Sequence, residues 1–180
     1  MNQYSSHVGD SRERTIGGEN YNTVKMSAPG GGTFTYDKLF WIDSDISWTV
    51  EQFMRLYNSP KHIISGVYLL DDGTVPVYKR PMVRGLTKAE IGKMKEPFRA
   101  RACGFGFICI AQGVFERIER PWFGSVEVEV TNDETNEVSY IHPLMGEDTA
   151  WCEKAYRLGM QLWIDPLVRV EHQKTVRLGW

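Results

Sequence analysis

Short apolar runs separated by polar turns begin near residue 36 and continue almost to the end of the chain. Leu39–Ile42 is a continuous apolar run that ends in Asp43-Ser44-Asp45. A run of this length without alternation is typical of a strand buried on both faces, such as a central strand of an α/β sheet. The next run, His62–Leu70, precedes the turn Asp71-Asp72-Gly73, so we expect Val75–Tyr78 to pair back on it as a hairpin.

Helix signals alternate with these strands. Thr49 followed by Gln52, and Thr87 followed by Glu90, each match a capping box, which predicts two short helices. The clearest helical periodicity lies in the last quarter of the chain, where Gly159 is placed to end the helix. This alternation predicts an α/β fold with a mixed, mainly parallel sheet flanked by helices.

The first 35 residues differ from the remainder because they hold few large aliphatic side chains. They contain the run Gly30-Gly31-Gly32, which is not followed by the Gly-Lys-Ser/Thr of a phosphate-binding loop. We expect residues 1–35 to form a polar, flexible arm or long loop. Residues 36–180 then form one domain of ordinary size.

Composition narrows the classes of function. The 180 residues include 21 Lys and Arg against 23 Asp and Glu, and this net charge of −2 favours neither nucleic acid nor an anionic membrane as a partner. No apolar run in the sequence approaches the length of about 20 residues that a membrane-spanning helix needs. Cys103, Cys109 and Cys152 lack paired spacing, which favours a reducing, cytoplasmic compartment over a disulfide framework or a zinc knuckle.

Asp43 and Asp45 are the strongest candidates for chemistry. Ligands of open α/β sheets bind at the carboxyl ends of strands, and two carboxylates at i and i+2 can converge there on one Mg²⁺ or Mn²⁺. The alternative is a solvent-exposed turn whose aspartates cap the following helix.

Three further groups gain weight only in combination with these aspartates. Glu147 and Asp148 stand at a helix start, where acidic side chains stabilise the helix or where an ionised carboxylate serves as a general base. His172 follows the last apolar segment and becomes a metal-ligand candidate only if the fold brings it beside the aspartates. Trp122 and Phe123 are either core residues or an exposed pair that stacks on a sugar ring.

The order of these motifs is more specific than any one of them. In chain order they are Phe40-Trp41-Ile42-Asp43-Ser44-Asp45-Ile46, Gly104-Phe105-Gly106, Pro121-Trp122-Phe123, Gly146-Glu147-Asp148 and Val170-Glu171-His172. This order resembles that of the GT-A glycosyltransferases, especially the family 2-like enzymes, over roughly three quarters of the chain. The resemblance implies a GT-A-like catalytic domain that transfers a sugar from a nucleoside-diphosphate donor to an acceptor hydroxyl.

The resemblance also implies roles for individual residues. Asp43 and Asp45 would hold a divalent metal, Mn²⁺ or Mg²⁺, which bridges the diphosphate of the donor, and His172 would complete the metal site. Asp148 would be the catalytic base, supported by Glu147, in a single inverting step.

Further implications concern the acceptor and the first part of the chain. Trp122 and Phe123 would line the acceptor or sugar pocket. Because Asp43 stands close to the start of the chain, the N-terminal nucleotide-binding unit of a GT-A fold is expected to be short or missing. A sheet edge left unpaired in this way would invite pairing with a second copy, so a homo-oligomer is among the expectations.

Two other functions fit the same residues. In a HAD-like phosphatase, Asp43 would be a covalent nucleophile and Asp45 a general acid. In a non-catalytic carbohydrate- or nucleotide-binding module, a truncated GT-A fold would bind its ligand without catalysing a reaction.

Overall fold

The computed structural model describes residues 36–80, 84–131, 135, 137–141 and 146–173. Within the first 35 residues it describes five short strands, which are β1 His7–Val8, β2 Arg14–Ile16, β3 Glu19–Tyr21, β4 Val24–Ser27 and β5 Thr33–Phe34. The rest of that segment lies outside the described residues, so the arm over residues 1–35 stays a prediction.

From residue 36 onward the described chain is a mixture of strands and short helices, which confirms the α/β class in its coarse form. The helices are α1 Val50–Tyr57, α2 Lys88–Lys93, α3 Val114–Arg117 and α4 Glu147–Arg157. The strands are β6 Lys38–Ile42, β7 Ile46–Ser47, β8 Ile63–Val67, β9 Thr74–Val75, β10 Val77–Tyr78, β11 Leu86–Thr87, β12 Phe98–Ala100, β13 Ala102–Cys103, β14 Phe107–Ala111, β15 Val128–Thr131, β16 Val138–Ile141, β17 Leu162–Arg169 and β18 Glu171–His172. Among the described residues, no helix is both long enough and apolar enough to cross a membrane.

The predicted helix ends are confirmed. Thr49 Oγ1 accepts the N–H of Gln52 at 3.3 Å, and the Gln52 side chain accepts the N–H of Thr49 at 2.8 Å, which completes a capping box at α1. Thr87 and Glu90 form the same reciprocal pair at α2. Gly159 follows α4 with φ of +76°, a conformation that residues with a side chain rarely adopt.

The main sheet has five strands in the order β12-β17-β8-β14-β6. Only β17 and β8 pair in parallel, and the other three pairings are antiparallel, so the prediction of a mainly parallel sheet is wrong. The segment between β8 and β14 returns the chain to the sheet edge at which β8 ends. Strand β14 starts at that edge and therefore runs antiparallel to β8. Because β14 opposes both β6 and β8, strands β6, β8 and β17 all run in the same direction.

Two further strand predictions are wrong. The strand Leu39–Ile42 forms part of β6 at the edge of this sheet rather than at its centre, and Trp41, expected in the core, is 41% exposed. Val75 pairs with Leu86 on β11, and Val77 pairs with Cys103 on β13, so neither segment forms a hairpin with β8.

The core lies on both faces of the sheet. Alternate residues of β8 and β14 belong to two separate buried clusters, as the two-residue period of a strand requires. Trp151 of α4 is fully buried in one cluster, and Leu56 of α1 is fully buried in the other. Cys109 is buried within β14, while Cys103 and Cys152 are buried together, with the Cys152 thiol contacting the carbonyl of Cys103.

A buried ion pair attaches α4 to the rest of the domain. Glu153, almost fully buried, accepts two hydrogen bonds from the Arg101 guanidinium, at 2.9 Å each, and one from Arg157 at 2.9 Å. The Arg101 guanidinium also lies over the ring of Tyr156. A bidentate contact of this kind fixes orientation as well as distance, so it holds the helix whose first turn carries Asp148.

Candidate active site at the carboxyl edge of the sheet

Strand direction brings the candidate residues to one edge of the sheet. Since β6, β8 and β17 run in the same direction, the segments that follow them meet there. Asp43 and Asp45 follow β6, Tyr68 follows β8, and His172 lies just beyond β17. The antiparallel β14 begins at this edge, which places residues 104–106 beside them.

His172 and Asp45 are in direct contact. The pairing of β18 with β7 sets His172 opposite Ile46, and this register places Nε2 of the imidazole 3.0 Å from Oδ2 of Asp45. The other ring nitrogen, Nδ1, lies 3.0 Å from the carbonyl oxygen of Leu69. A carbonyl can only accept, so Nδ1 carries the proton that forms this bond. Metal-ligating histidines typically donate their second nitrogen in this way. The Asp45 carboxylate also only accepts, so a cation at Nε2 would take the place of the proton in the contact between His172 and Asp45.

The fold brings Asp45 and His172 together, whereas a metal-binding role for these two residues and Asp43 stays a prediction. In the described part of the chain, no cluster of three or more His, Cys, Asp and Glu side chains is arranged to hold a metal. Asp43 is exposed, and its N–H donates to the Gly106 carbonyl at 3.1 Å. Carboxylate oxygens suit Mg²⁺ and Mn²⁺, so a divalent cation at Asp45 and His172 would need further ligands from substrate or water.

Asp148 lies in the first turn of α4 and points toward the same edge. Its Oδ1 accepts the N–H of Thr149 at 2.8 Å, and its Oδ2 accepts the N–H of Phe105 at 3.3 Å. Burial raises the pKa of Asp148, although both N–H groups favour its charged form. A carboxyl with this environment can serve as a general base, and the bond to Thr149 also satisfies a free N–H of the helix start. Glu147, its neighbour, is exposed.

Trp122 and Phe123 have different surroundings. The Trp122 indole N–H donates to the Ile118 carbonyl at 3.1 Å, and its ring packs edge-on against Phe115 with 5.0 Å between centroids. These contacts are typical of a residue at the margin of the core. Phe123 packs against Trp41, with 5.4 Å between centroids, and against Phe105, with 5.8 Å. A sugar-binding role for either residue stays a prediction.

No motif in the sequence singles out Trp41 or Tyr68 as a site residue. Trp41 stands two residues before Asp43, so both occupy the same face of the chain, and its exposed indole borders Phe105 and Phe123. Tyr68 is buried, and its hydroxyl accepts the N–H of Gly106 at 3.3 Å. An exposed aromatic at a sheet edge and a buried tyrosine after a strand have no signature in the order of residues alone.

Comparison with known proteins adds little to this geometry. No family model matches the chain, and no curated protein matches it. Among solved structures, one described as "Crystal Structure of A197 from STIV" is similar over 81% of this chain and 71% of that one, with 16% identity and a TM-score of 0.43. A likeness of this size carries no conclusion about the chain, so the case for a function rests on the residues at the sheet edge.

Proposed function

We propose that the protein is a metal-dependent glycosyltransferase of GT-A-like organisation, which moves a sugar from a nucleoside-diphosphate donor to an acceptor hydroxyl. The observation that carries the proposal is the meeting of four separate segments at one sheet edge. The pair Asp45 and His172 and the half-buried carboxyl of Asp148 lie at this edge, and Asp148 contacts residues 104–106 through the Phe105 N–H. Such a transfer needs a cation-binding group and a base around one reacting centre.

Each residue has a defined task in this proposal. Asp45 and His172, with Asp43 beside them, would hold a divalent cation, which when bound offsets the negative charge of the departing diphosphate. Asp148 accepts the proton of the acceptor hydroxyl as the acceptor oxygen bonds to the anomeric carbon and the bond to the diphosphate oxygen breaks. The raised pKa of Asp148 suits a base, because a more basic carboxylate takes a proton more readily.

Aromatic side chains would complete the acceptor region. Trp41 and Phe123 form a pair on the Asp43 face of the sheet, and the exposed Trp41 ring offers a flat apolar surface of the kind that stacks on a pyranose. Trp122 lies farther into the core margin, and its part in this region is to support Phe123 through their common neighbour Phe115.

The test compares metal binding and donor cleavage in matched variants. Calorimetry is expected to detect Mn²⁺ binding to the wild type and its loss in the double variant Asp43→Ala/Asp45→Ala. The control is Asp37→Ala, which removes an exposed aspartate ahead of β6, at the opposite end of that strand from Asp43. A panel of nucleoside-diphosphate sugars is then incubated with the wild type and Mn²⁺, and release of the nucleoside diphosphate is measured.

Each outcome bears on the proposal. Equal Mn²⁺ affinity in the wild type and the double variant would overturn the metal assignment. Metal and nucleotide binding without cleavage of any donor would favour a non-catalytic binding module. Release of phosphate from an aryl phosphate, dependent on Asp43, would favour the HAD-like phosphatase.

A further inference from the structure

Tyr68 lies within the candidate active site but belongs to neither the Asp45–His172 pair nor the proposed base. It follows β8 directly and is 9% exposed. Its ring meets the His172 imidazole edge-on, with 5.4 Å between centroids, and its hydroxyl accepts the Gly106 N–H at 3.3 Å. The Tyr68 side chain therefore contacts His172 through its ring and Gly106 through its hydroxyl. Gly106 adjoins Phe105, whose N–H donates to Asp148.

The glycines at 104 and 106 are explained by the close approach of this phenol. A Cβ on Gly104 would lie 2.3 Å from the Tyr68 hydroxyl oxygen, and a Cβ on Gly106 would lie 2.6 Å from its ring. Carbon atoms do not approach other heavy atoms so closely, so a side chain at either position would displace the tyrosine or the loop. The two glycines of the Gly-Phe-Gly sequence thus leave the space that the Tyr68 side chain occupies.

The segment held by Tyr68 contacts the proposed base, Asp148, and the backbone of Asp43. Within residues 104–106, the Phe105 N–H donates to Asp148, and the Gly106 carbonyl accepts the N–H of Asp43. A shift of this segment would therefore move Asp148 and Asp43 relative to each other. Burial raises the pKa of Tyr68, and the nearby charges of Asp148 and Asp43 add to this effect, so the phenol stays neutral.

We propose that Tyr68 is a positioning residue that holds residues 104–106 and so sets the placement of Asp148 relative to the Asp45–His172 pair. The inference rests on the proposed function, but its test does not measure transferase activity. Placement within about 0.5 Å is what a catalytic group needs, and a group held by backbone hydrogen bonds gains it from whatever fixes that backbone.

The test uses the metal-free chain of 180 residues and NMR. Tyr68→Phe removes the hydroxyl and keeps the ring. We expect amide exchange at Gly106 to become about fivefold faster, the effect of losing one ordinary hydrogen bond. We expect the pKa of the Asp148 carboxyl to rise further, because the Phe105 N–H that favours its charged form is held less firmly. Tyr36→Phe, which removes a phenol hydroxyl bonded to Glu116, is the matched control and should change neither value.

A second variant keeps the inference falsifiable if the first unfolds. Gly106→Ala retains the tyrosine and forces the segment away from its ring, so it should change the Asp148 titration in the same direction. Unchanged Gly106 exchange and an unchanged Asp148 titration in the folded variants would overturn the positioning role, as would a loss of thermal stability alone. Neither readout involves donor, acceptor or metal, so failure here is distinguishable from failure of the proposed transferase activity.

Discussion

The imidazole of His172 lies 3.0 Å from the carboxylate of Asp45, although 126 residues separate them in the chain. The contact depends on the two-residue ladder between β7 and β18, in which the N–H of Gln173 also donates to the Asp45 carbonyl at 2.7 Å. A carboxylate and an imidazole fixed by backbone pairing can present lone pairs to one cation with little cost in side-chain entropy.

We expect His172→Ala to lower Mn²⁺ affinity by at least about tenfold, since one ligand of a small site is lost. Calorimetry at pH 7.5 measures the change. His62→Ala is the control, because His62 lies ahead of β8, at the opposite end of that strand from the candidate site. Equal affinity in His172→Ala and the wild type would assign the His172–Asp45 contact to structure alone.

Replacing Asp148 by Asn should reduce turnover of a cleavable donor by about 10²-fold or more, the usual effect of removing a general base. Mn²⁺ affinity should be unchanged, because the Asp148 carboxylate is bonded to the N–H groups of Phe105 and Thr149 rather than to the Asp45–His172 pair. Glu147→Gln, at the exposed neighbouring position, should have a much smaller effect. Loss of metal binding together with turnover would contradict the separation of the two roles.

The same variant should show a characteristic dependence of stability on pH. Burial raises the pKa of Asp148 in the folded protein, so ionisation of this carboxyl opposes folding. The penalty is absent below the unfolded pKa of about 3.9 and is fully present above the folded pKa. The melting temperature of Asp148→Asn relative to the wild type should therefore increase as the pH is raised from 4 to 7. A constant difference across this range would argue against the raised pKa.

The tryptophans should separate into structural and functional positions. Trp122→Ala removes a ring packed on Phe115 and is expected to cost about 3 kcal/mol of unfolding free energy in urea titrations. Trp41→Ala removes an exposed ring and should cost less than about 1 kcal/mol while raising the KM for the acceptor. A raised KM in a folded Trp122→Ala protein, with Trp41→Ala unaffected, would restore Trp122 as the sugar-stacking residue.

Glu153→Ala should be among the most destabilising single substitutions at a polar position. The Glu153 side chain is 4% exposed and that of its partner Arg101 is 19% exposed. The variant therefore leaves the Arg101 guanidinium largely shielded from water and without the carboxylate that binds it. We expect a loss of about 3 kcal/mol, measured by chemical denaturation. Arg157→Ala, at the more exposed end of the network, should cost less than about 1 kcal/mol. Similar losses in both variants would contradict this difference.

Local chemistry allowed the sequence to predict the helices well. The capping boxes at Thr49 and Thr87 and the glycine end of α4 at Gly159 depend on contacts within a few residues, and all three form. These signals need no knowledge of the rest of the fold.

Pairing and burial depend on distant segments, and there the sequence was a weaker guide. An apolar run such as Leu39–Ile42 has the same appearance in a central and in an edge strand, so the exposure of Trp41 could not be read from it. The hairpin expected at Val75 gave way to pairing with Leu86, eleven residues later. For the site, the candidates Asp45, His172 and Asp148 were selected by motif order, whereas Tyr68 became visible only through its contacts.

Because the cysteines are buried, the reactivity of their thiols reports local opening of the structure around them. Cys109 lies within the central sheet, and Cys152 lies in α4, one turn beyond Asp148; both thiols are exposed by 2% or less. A thiol reagent can modify either one only after the surrounding structure opens. The rate at Cys152 relative to that at Cys109 would thus measure how often the helix carrying the proposed base detaches while the sheet remains intact.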